Sequence, residues 1–373
     1  MKRILYIIYS SIFYLYSIFP LNKNKTTFIM THDKSINGNI MCMYKKVKKE
    51  QPNHICKFIT KSQFNNVNKL KKILEELKFL FVTPYYLATS KTIFLDNVFL
   101  PMSYFRFKSE VKVVQLWHGC NTLKKFGQLS TSGLLKKLEK KANSKYTHII
   151  VSSKNMIKLH KQVFGVDEKV IYPLGLPRMD IFFDENKIED EKNKFYEQFK
   201  YLGDKKIILY APTFRDNSLT SLDDNMDLSD IVNEFPDEYI IINKFHPFVT
   251  NKYKDITNNK IIDMSQYEDL TRLLFVADVL VTDYSSIVFD YALLNKPTIF
   301  YAYDKEEYEN KIRGFYYNYE EYLGKTIVYS KKELLKRIIN INNKDKCKKD
   351  FISRYVDYND SNSTKRIYNL IYC

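Results

Sequence analysis

The run VLVTDYSSIVFDYALLNKPTIFY, residues 279–301, decides the fold. It opens with an apolar stretch short enough for a buried strand and turns polar at Asp283, Tyr284, Ser285 and Ser286. It then takes helical spacing through IVFDYALL and returns to a β-rich run at PTIFY. Strand, polar turn, helix and strand make a βαβ unit, and such units build a mainly parallel sheet. In open parallel sheets ligands bind outside the carboxyl ends of the strands, which is where this polar turn falls.

The same pattern recurs in both directions along the chain. After IILYA come Pro212, Thr213, Phe214, Arg215 and Asp216; after YIIIN come Lys244, Phe245, His246 and Pro247. These clusters and the one at residues 283–286 are expected to face one crevice. An earlier series of β-rich runs reads TTFIM, HICKFIT, TIFLD, VKVVQLWHG and YTHIIVSS, with a Lys/Leu-rich helix over 68–79. The charged stretch DENKIEDEKNKFYEQF separates the two series. The expected division is a hydrophobic, membrane-associating segment at 1–25, an α/β domain at 26–180, a linker at 181–205 and a second α/β domain at 206–373.

Composition narrows the class. With 373 residues, 45% of them hydrophobic, the chain has material for two ordinary cores, which excludes disorder. Lys and Arg total 59 against 43 Asp and Glu, and the net charge of +16 favours nucleic acid, anionic lipid or a phosphorylated substrate. No recognisable nucleic-acid motif supports the first of these. The five cysteines are scattered without a CxxC pair, which fits reduced thiols better than a disulfide framework or a zinc site.

Residues 4–21, ILYIIYSSIFYLYSIFPL, are apolar or aromatic nearly all round, with Lys2 and Arg3 before them. A helix of this length rises roughly 27 Å against a bilayer core of about 30 Å. An interfacial anchor, a helix packed on the first domain and a true span all remain open. In GLLKKLEKKANSKY, Leu134, Leu135, Leu138 and Ala142 share one helical face, with Lys136, Lys137, Lys140 and Lys141 around it; such a helix lies on anionic lipid or packs on its own domain.

Ser285 and Ser286 are expected in the first turn of a helix, where unpaired N–H groups and the positive dipole end accept an anion such as phosphate. The alternative is that Asp283 or Ser285 simply caps the helix. His32, His54, His148 and His160 lack metal-ligand spacing and read as structural or exposed. GKT at Gly324 lacks the Gly-rich half of a phosphate loop, and DDNMD at 223–227 lies in a polar loop without strand context. No metal and no cofactor is expected.

Taken together, ILYAPTFRD, NKFHP, ADVLVTDYSSIVFDYALLNKPTIFY and RGFYYNYE resemble the CDP-glycerol glycerophosphotransferase family, builders of teichoic acids and related polyol-phosphate polymers at the cytoplasmic face of bacterial membranes. PLNKNKTTF, YYLATSKTIFLDN, QLWHG followed by LKKFG, and PLGLPRMD extend the resemblance into the first domain, in the family's order. It implies a GT-B-like α/β fold: two Rossmann-like domains facing a central cleft, the first presenting the acceptor and facing the membrane, the second holding the CDP-polyol donor. On matching positions, His118 would be the catalytic base, with His246 assisting departure of CMP. Arg215, Ser285, Ser286 and Arg313, together with His246, would serve the pyrophosphate, and Thr213 and Asp283 fill the remaining substrate-binding positions. On residue type alone, His118 also reads as a packed core histidine, His246 as a strand end, and Arg313 as the partner of an acid in KEEYEN.

The implied reaction moves glycerol phosphate from CDP-glycerol to a lipid-linked saccharide or polyol-phosphate acceptor, releasing CMP, by a peripheral enzyme on an anionic membrane surface. His118, Gly119, Cys120, Asn121 and Thr122 replace the His-Gly-Thr-Pro of many glycerol-phosphate enzymes, with one extra residue before LKKFG. That spacing resembles the CDP-ribitol branch. Two further departures are EYLGKTIVY, which lacks a Pro-Gly-Pro, and Ser361, where a glycine is usual. A GT-B glycosyltransferase using a sugar nucleotide is the enzymatic alternative, since fold does not settle function.

Overall fold

The structure, a computed structural model, describes residues 2–32, 35–60, 69–119, 123–213, 215, 224–245, 259–312, 314–341 and 349–373. The chain divides into two compact units. The first comprises residues 1–120, 126–180 and 355–373, and the second comprises 121–125 and 181–354.

The sheet of the first unit has six strands, β1 (Asn22–Met30), β2 (Ile55–Thr60), β3 (Ser90–Leu95), β4 (Lys112–Gln115), β5 (His148–Val151) and β6 (Ile171–Pro173). All pair in parallel, in the order β2-β1-β3-β4-β5-β6. Its helices include α1 (Lys2–Tyr16), α2 (Asn39–Glu50), α3 (Lys69–Phe81), α4 (Thr83–Thr89), α5 (Gly133–Asn143) and α6 (Ile157–Phe164). Register sets the core here. Phe28 pairs with Phe58 on one side and Phe94 on the other, so three rings stack across β2, β1 and β3 at 5.2 and 5.5 Å.

The second unit holds β7 (Lys206–Tyr210), β8 (Tyr239–Asn243), β9 (Ile261–Asp263), β10 (Val279–Thr282), β11 (Thr298–Tyr301) and β12 (Ile327–Val328), again all parallel, in the order β12-β11-β10-β7-β8-β9. Helices α7 (Glu185–Gln198), α8 (Leu270–Val276) and α9 (Ile287–Tyr291) belong to it. Alternation along the strands feeds two cores. Ile207, Leu209, Ile240, Ile242 and Leu280 pack with Phe195, Leu273 and Leu274, whereas Ile208, Tyr210, Ile241, Val279 and Val281 pack with Val232, Leu334 and Ile338. Burial on both faces explains why these strands read as continuous apolar runs.

Each sheet reverses its strand order once, between β1 and β3 in the first and between β7 and β10 in the second. Loops leaving the two strands at such a point diverge and leave a crevice at their carboxyl ends.

The division of the chain departs from the sequence expectation in three places. Residues 181–205 are no linker: α7 is N-capped by Asp184, whose side chain accepts from Lys187 N–H, and its Phe195 is fully buried. The chain also returns to the first unit at residue 355, so 206–373 is not one domain. There the last helix, Ser363–Tyr372, buries Ile367 and Ile371, and the Asp180 carboxylate accepts from the N–H groups of Ser363 (2.8 Å) and Thr364 (2.9 Å). Finally, the segment 1–25 is already part of the fold. β1 starts at Asn22, and α1 buries Tyr9 and Phe13, the latter stacked on Phe105 at 4.1 Å. The opposite stripe of α1, including Ile4, Ile8 and Leu15, is exposed. Among the described residues no helix is long and apolar enough to cross a membrane. In α5 the expected apolar face divides: Leu138 and Ala142 are buried, Leu134 and Leu135 exposed.

Asp180 does for the last helix what an N-cap side chain ordinarily does, from 183 residues away. Asp180→Ala is therefore expected to cost about 1 kcal/mol and to speed proteolytic release of the segment after residue 355. Unchanged protection of that segment would show that the cap contributes nothing.

Candidate functional site

In the first unit the site is built where β1, β3 and β4 end. Asp96, directly after β3 and fully buried, accepts through its carboxylate from Thr31 N–H (2.9 Å) and His32 N–H (3.1 Å), just past β1. Its backbone carbonyl lies 2.9 Å from His118 Nδ1. A carbonyl only accepts, so Nδ1 carries the proton and the neutral ring keeps its lone pair on Nε2. Nε2 has no hydrogen-bond partner among the described residues. Burial, then the neighbouring His32, push the His118 pKa down to about 3; the hydrogen bond to Asp96 opposes this and Arg178 adds to it. The imidazole is thus neutral throughout the physiological range, with Nε2 unprotonated.

His32, which the sequence reads as structural or exposed, is exposed, and it also meets the site. Its ring stacks on that of His118 with centroids 3.6 Å apart. His54, His148 and His160 sit elsewhere in hydrogen-bonded structural roles: His54 with Thr26 and Gln51, His148 with Thr147, and His160 with the carbonyl of Met156.

In the second unit the loops after β7 and β10 meet across the strand-order reversal. Asp283 Oδ1 accepts from Thr213 N–H (2.8 Å) and from Tyr284 N–H, while Oδ2 lies 2.8 Å from Arg215 Nη1 as an ion pair without hydrogen-bond geometry. Arg215 forks onto Asp304, with Nε to Oδ2 at 2.6 Å and Nη2 to Oδ1 at 2.8 Å, and Nη1 donates to the Thr213 carbonyl. Tyrosine rings line this knot. The guanidinium lies 5.0 Å from the Tyr284 ring and 5.1 Å from that of Tyr308, and the Tyr284 hydroxyl donates to Asp304. Burial works against the charge of Arg215, but Asp283 and Asp304 outweigh it and hold its pKa above the ordinary arginine value.

These contacts place the sequence-predicted residues individually. Arg215 is only 5% exposed and committed to two carboxylates, so contact with a phosphate would require it to leave one of them. Asp283 is 1% exposed and is not a helix cap, because its carboxylate serves Thr213, Tyr284 and Arg215. The Thr213 hydroxyl is buried without a partner among the described residues. Ser285 and Ser286 are half-buried at the start of α9; Ser285 Oγ makes only a 3.4 Å contact with Ile287 N–H, and Ser286 makes no side-chain cap bond. His246 and Arg313 lie outside the described residues.

Sequence reasoning missed Asp96, Asp304 and His32. Each acts on a partner far along the chain, and no local pattern marks it. The described residues include no group of three or more His, Cys, Asp or Glu arranged to hold a metal.

Residues 11–373 match the family described as CDP-glycerol:poly(glycerophosphate) glycerophosphotransferase, and the chain belongs to that family. A teichoic acid poly(ribitol-phosphate) polymerase of Bacillus spizizenii is 38% identical over 83% of this chain, which spans only 50% of that relative's length. A teichoic acid glycerol-phosphate primase of Bacillus subtilis is 34% identical over 77% of this chain and 74% of its own. The wall teichoic acid polymerase TagF superposes with a TM-score of 0.78 at 24% identity, covering 100% of this chain and 95% of the solved one, which establishes a GT-B-like fold.

The buried knot carries its own stability prediction. Asp304→Ala leaves Arg215 with one carboxylate in a site closed to water. Breaking a buried pair in this way costs about 3–5 kcal/mol. Urea unfolding should show that loss, and a change below about 1 kcal/mol, the range of an exposed pair, would mean that water reaches the guanidinium.

Proposed function

We propose that the chain transfers a polyol phosphate from a CDP-activated donor to an acceptor hydroxyl in the synthesis of a teichoic acid. The observation that carries this reading is His118, a neutral imidazole whose Nδ1–H is spent on Asp96 and whose Nε2 is left to accept a proton. In the proposed step Nε2 takes the proton of the acceptor hydroxyl as its oxygen attacks the phosphorus bearing the polyol. A new O–P bond forms, the P–O bond to CMP breaks, and CMP leaves in line. Thr213, Ser285 and Ser286 contact the donor pyrophosphate through their hydroxyls, joined by His246 and Arg313; His246 assists the departing CMP. Arg215 and Asp283 act from beneath, holding the two loops in register.

Glycerol phosphate from CDP-glycerol is the first reading of the donor, after the family's description. CDP-ribitol is the second, favoured by the 38% identity to a ribitol-phosphate polymerase and by the spacing after His118. The acceptor is a lipid-linked saccharide or a polyol-phosphate chain. The exposed stripe Ile4, Ile8 and Leu15 of α1, with Leu70, Ile73, Leu74 and Leu77 of α3, supports a peripheral seat on the cytoplasmic face of the membrane, helped by the basic charge.

Thermal unfolding with equal concentrations of CDP-glycerol, CDP-ribitol, CMP, UDP-glucose and GDP-mannose tests the donor class. A ligand at 100 times its dissociation constant adds about 2.7 kcal/mol, a shift of several degrees. The cytidine compounds should stabilise, and the better polyol identifies the donor; stabilisation by a uridine or guanosine sugar alone would replace the reading with glycosyl transfer. His118→Ala should keep this shift and lose turnover.

Membrane association is checked by cosedimentation with phosphatidylglycerol vesicles. The triple variant Ile4→Glu, Ile8→Glu, Leu15→Glu should reduce binding at least tenfold, since each change removes a burial worth roughly 1.5–3 kcal/mol when complete. Undiminished binding would exclude α1 from the contact.

A further inference from the structure

Trp117, the residue before His118, has φ +56°. Among the described residues only Asn295 shares a positive φ without being glycine. A bulky side chain in this region is a true outlier, and such strain costs about 1–3 kcal/mol, persisting only where the surroundings over-determine it.

Here they do. Gln115 Oε1 accepts from Trp117 N–H at 2.9 Å, and Gln115 is itself fixed by its Nε2, which donates to the Tyr146 hydroxyl (3.0 Å) and the Asn97 carbonyl (3.2 Å). Asn39, the first residue of α2, donates through Nδ2 to the carbonyl of Trp117 at 2.9 Å. Its Oδ1 accepts from Arg178 N–H at 3.0 Å, and Arg178 Nη1 donates to the His118 carbonyl at 2.7 Å. Asn39 and Gln115 are at most 1% exposed. The indole stacks on Phe126 at 5.1 Å and lies 4.2 Å from the His118 ring.

The backbone on both sides of the His118 Cα is therefore clamped by side chains from distant parts of the chain. A residue in an extended conformation at position 117 would swing the imidazole away from the Asp96 carbonyl. We propose that Asn39 and Arg178 are positioning residues: by holding the left-handed turn at Trp117 they fix the tautomer and the direction of His118 Nε2, without touching substrate.

The inference rests on His118 being the base, and its test separates the two. Trp117 is the only tryptophan among 30 tyrosines, so emission excited selectively at the red edge, where tyrosine does not absorb, reports this turn. A protonated imidazole against an indole quenches it, so an acid titration of the emission follows the histidine stack. The charged and titratable groups facing His118 are His32 past β1, Asp96 past β3 and Arg178. Asn39→Leu keeps the approximate size and adds no charge, but removes the donor to Trp117 together with the acceptor for Arg178. It should move the quenching midpoint from well below 6.5 toward 6.5. It should also lower kcat by about 10²-fold, as a misplacement of about 1 Å does, with the donor KM and the donor-induced thermal shift unchanged.

Arg178→Lys, which keeps the charge but not the planar fork, should give the same signature more weakly and serves if Asn39→Leu folds poorly. Wild-type kcat and an unmoved quenching midpoint in both variants would overturn the inference. A His118→Ala variant that keeps full turnover would instead remove the base reading, whatever the fluorescence shows.

Discussion

Two buried aspartates perform the same task in the two units, and the site residues depend on them. Parallel pairing sends every loop after a strand to one edge, and the strand order reverses once in each sheet. At that reversal the loops diverge, and their N–H groups lose the ladder that satisfied them. Asp96, directly after β3, receives the N–H groups of Thr31 and His32 beyond β1; Asp283, directly after β10, receives that of Thr213 beyond β7 as well as that of Tyr284. Each carboxylate bridges the crevice from one lip to the other. Leaving such donors unpaired in a buried loop costs about 1–3 kcal/mol each, so the bridge holds the loops in one arrangement.

What each unit does with its bridge then differs. In the first, the aspartate's backbone carbonyl is turned to His118 and decides which ring nitrogen carries the proton. In the second, a charged network closes beneath the loops: Arg215 joins Asp283 to Asp304, and tyrosine rings exclude water from it. One arrangement yields a neutral imidazole with Nε2 unprotonated, the other a buried ion-pair network beside the turn that carries Ser285 and Ser286. A buried arginine shared by two carboxylates is weak evidence of stability, yet removing any one member strands a charge.

The central strands were legible because burial on both faces leaves an unbroken apolar run, as in IILYA and VLVT. The edge strands β6, β9 and β12 were not, being only two or three residues long. His118 was legible through its motif, whereas His32, 86 positions earlier, meets it only because β1 and β4 end at the same edge. Arg215 shows the limit of residue type. An arginine after a strand in a basic protein reads as a phosphate ligand, and nothing local reveals that Asp304, 89 residues away, already occupies it. The return of the last helix is hidden for a similar reason, since its cap is Asp180 rather than a neighbour.

The N-terminal helix divides its apolar residues between two faces. Tyr9 and Phe13 are spent on the core, where Tyr9 stacks between Phe79 and Phe105 at 5.1 and 5.9 Å. Ile4, Leu5, Ile8 and Leu15 remain between 44% and 68% exposed. Covering the exposed half of four such side chains would be worth roughly 3–6 kcal/mol before the costs of association, at about 1.5–3 kcal/mol for each complete burial. That is the range of reversible surface binding, far from the insertion of a spanning helix. A helix already held by one face can offer only the other, so whatever α1 still contributes beyond the core is confined to the stripe of Ile4, Leu5, Ile8 and Leu15.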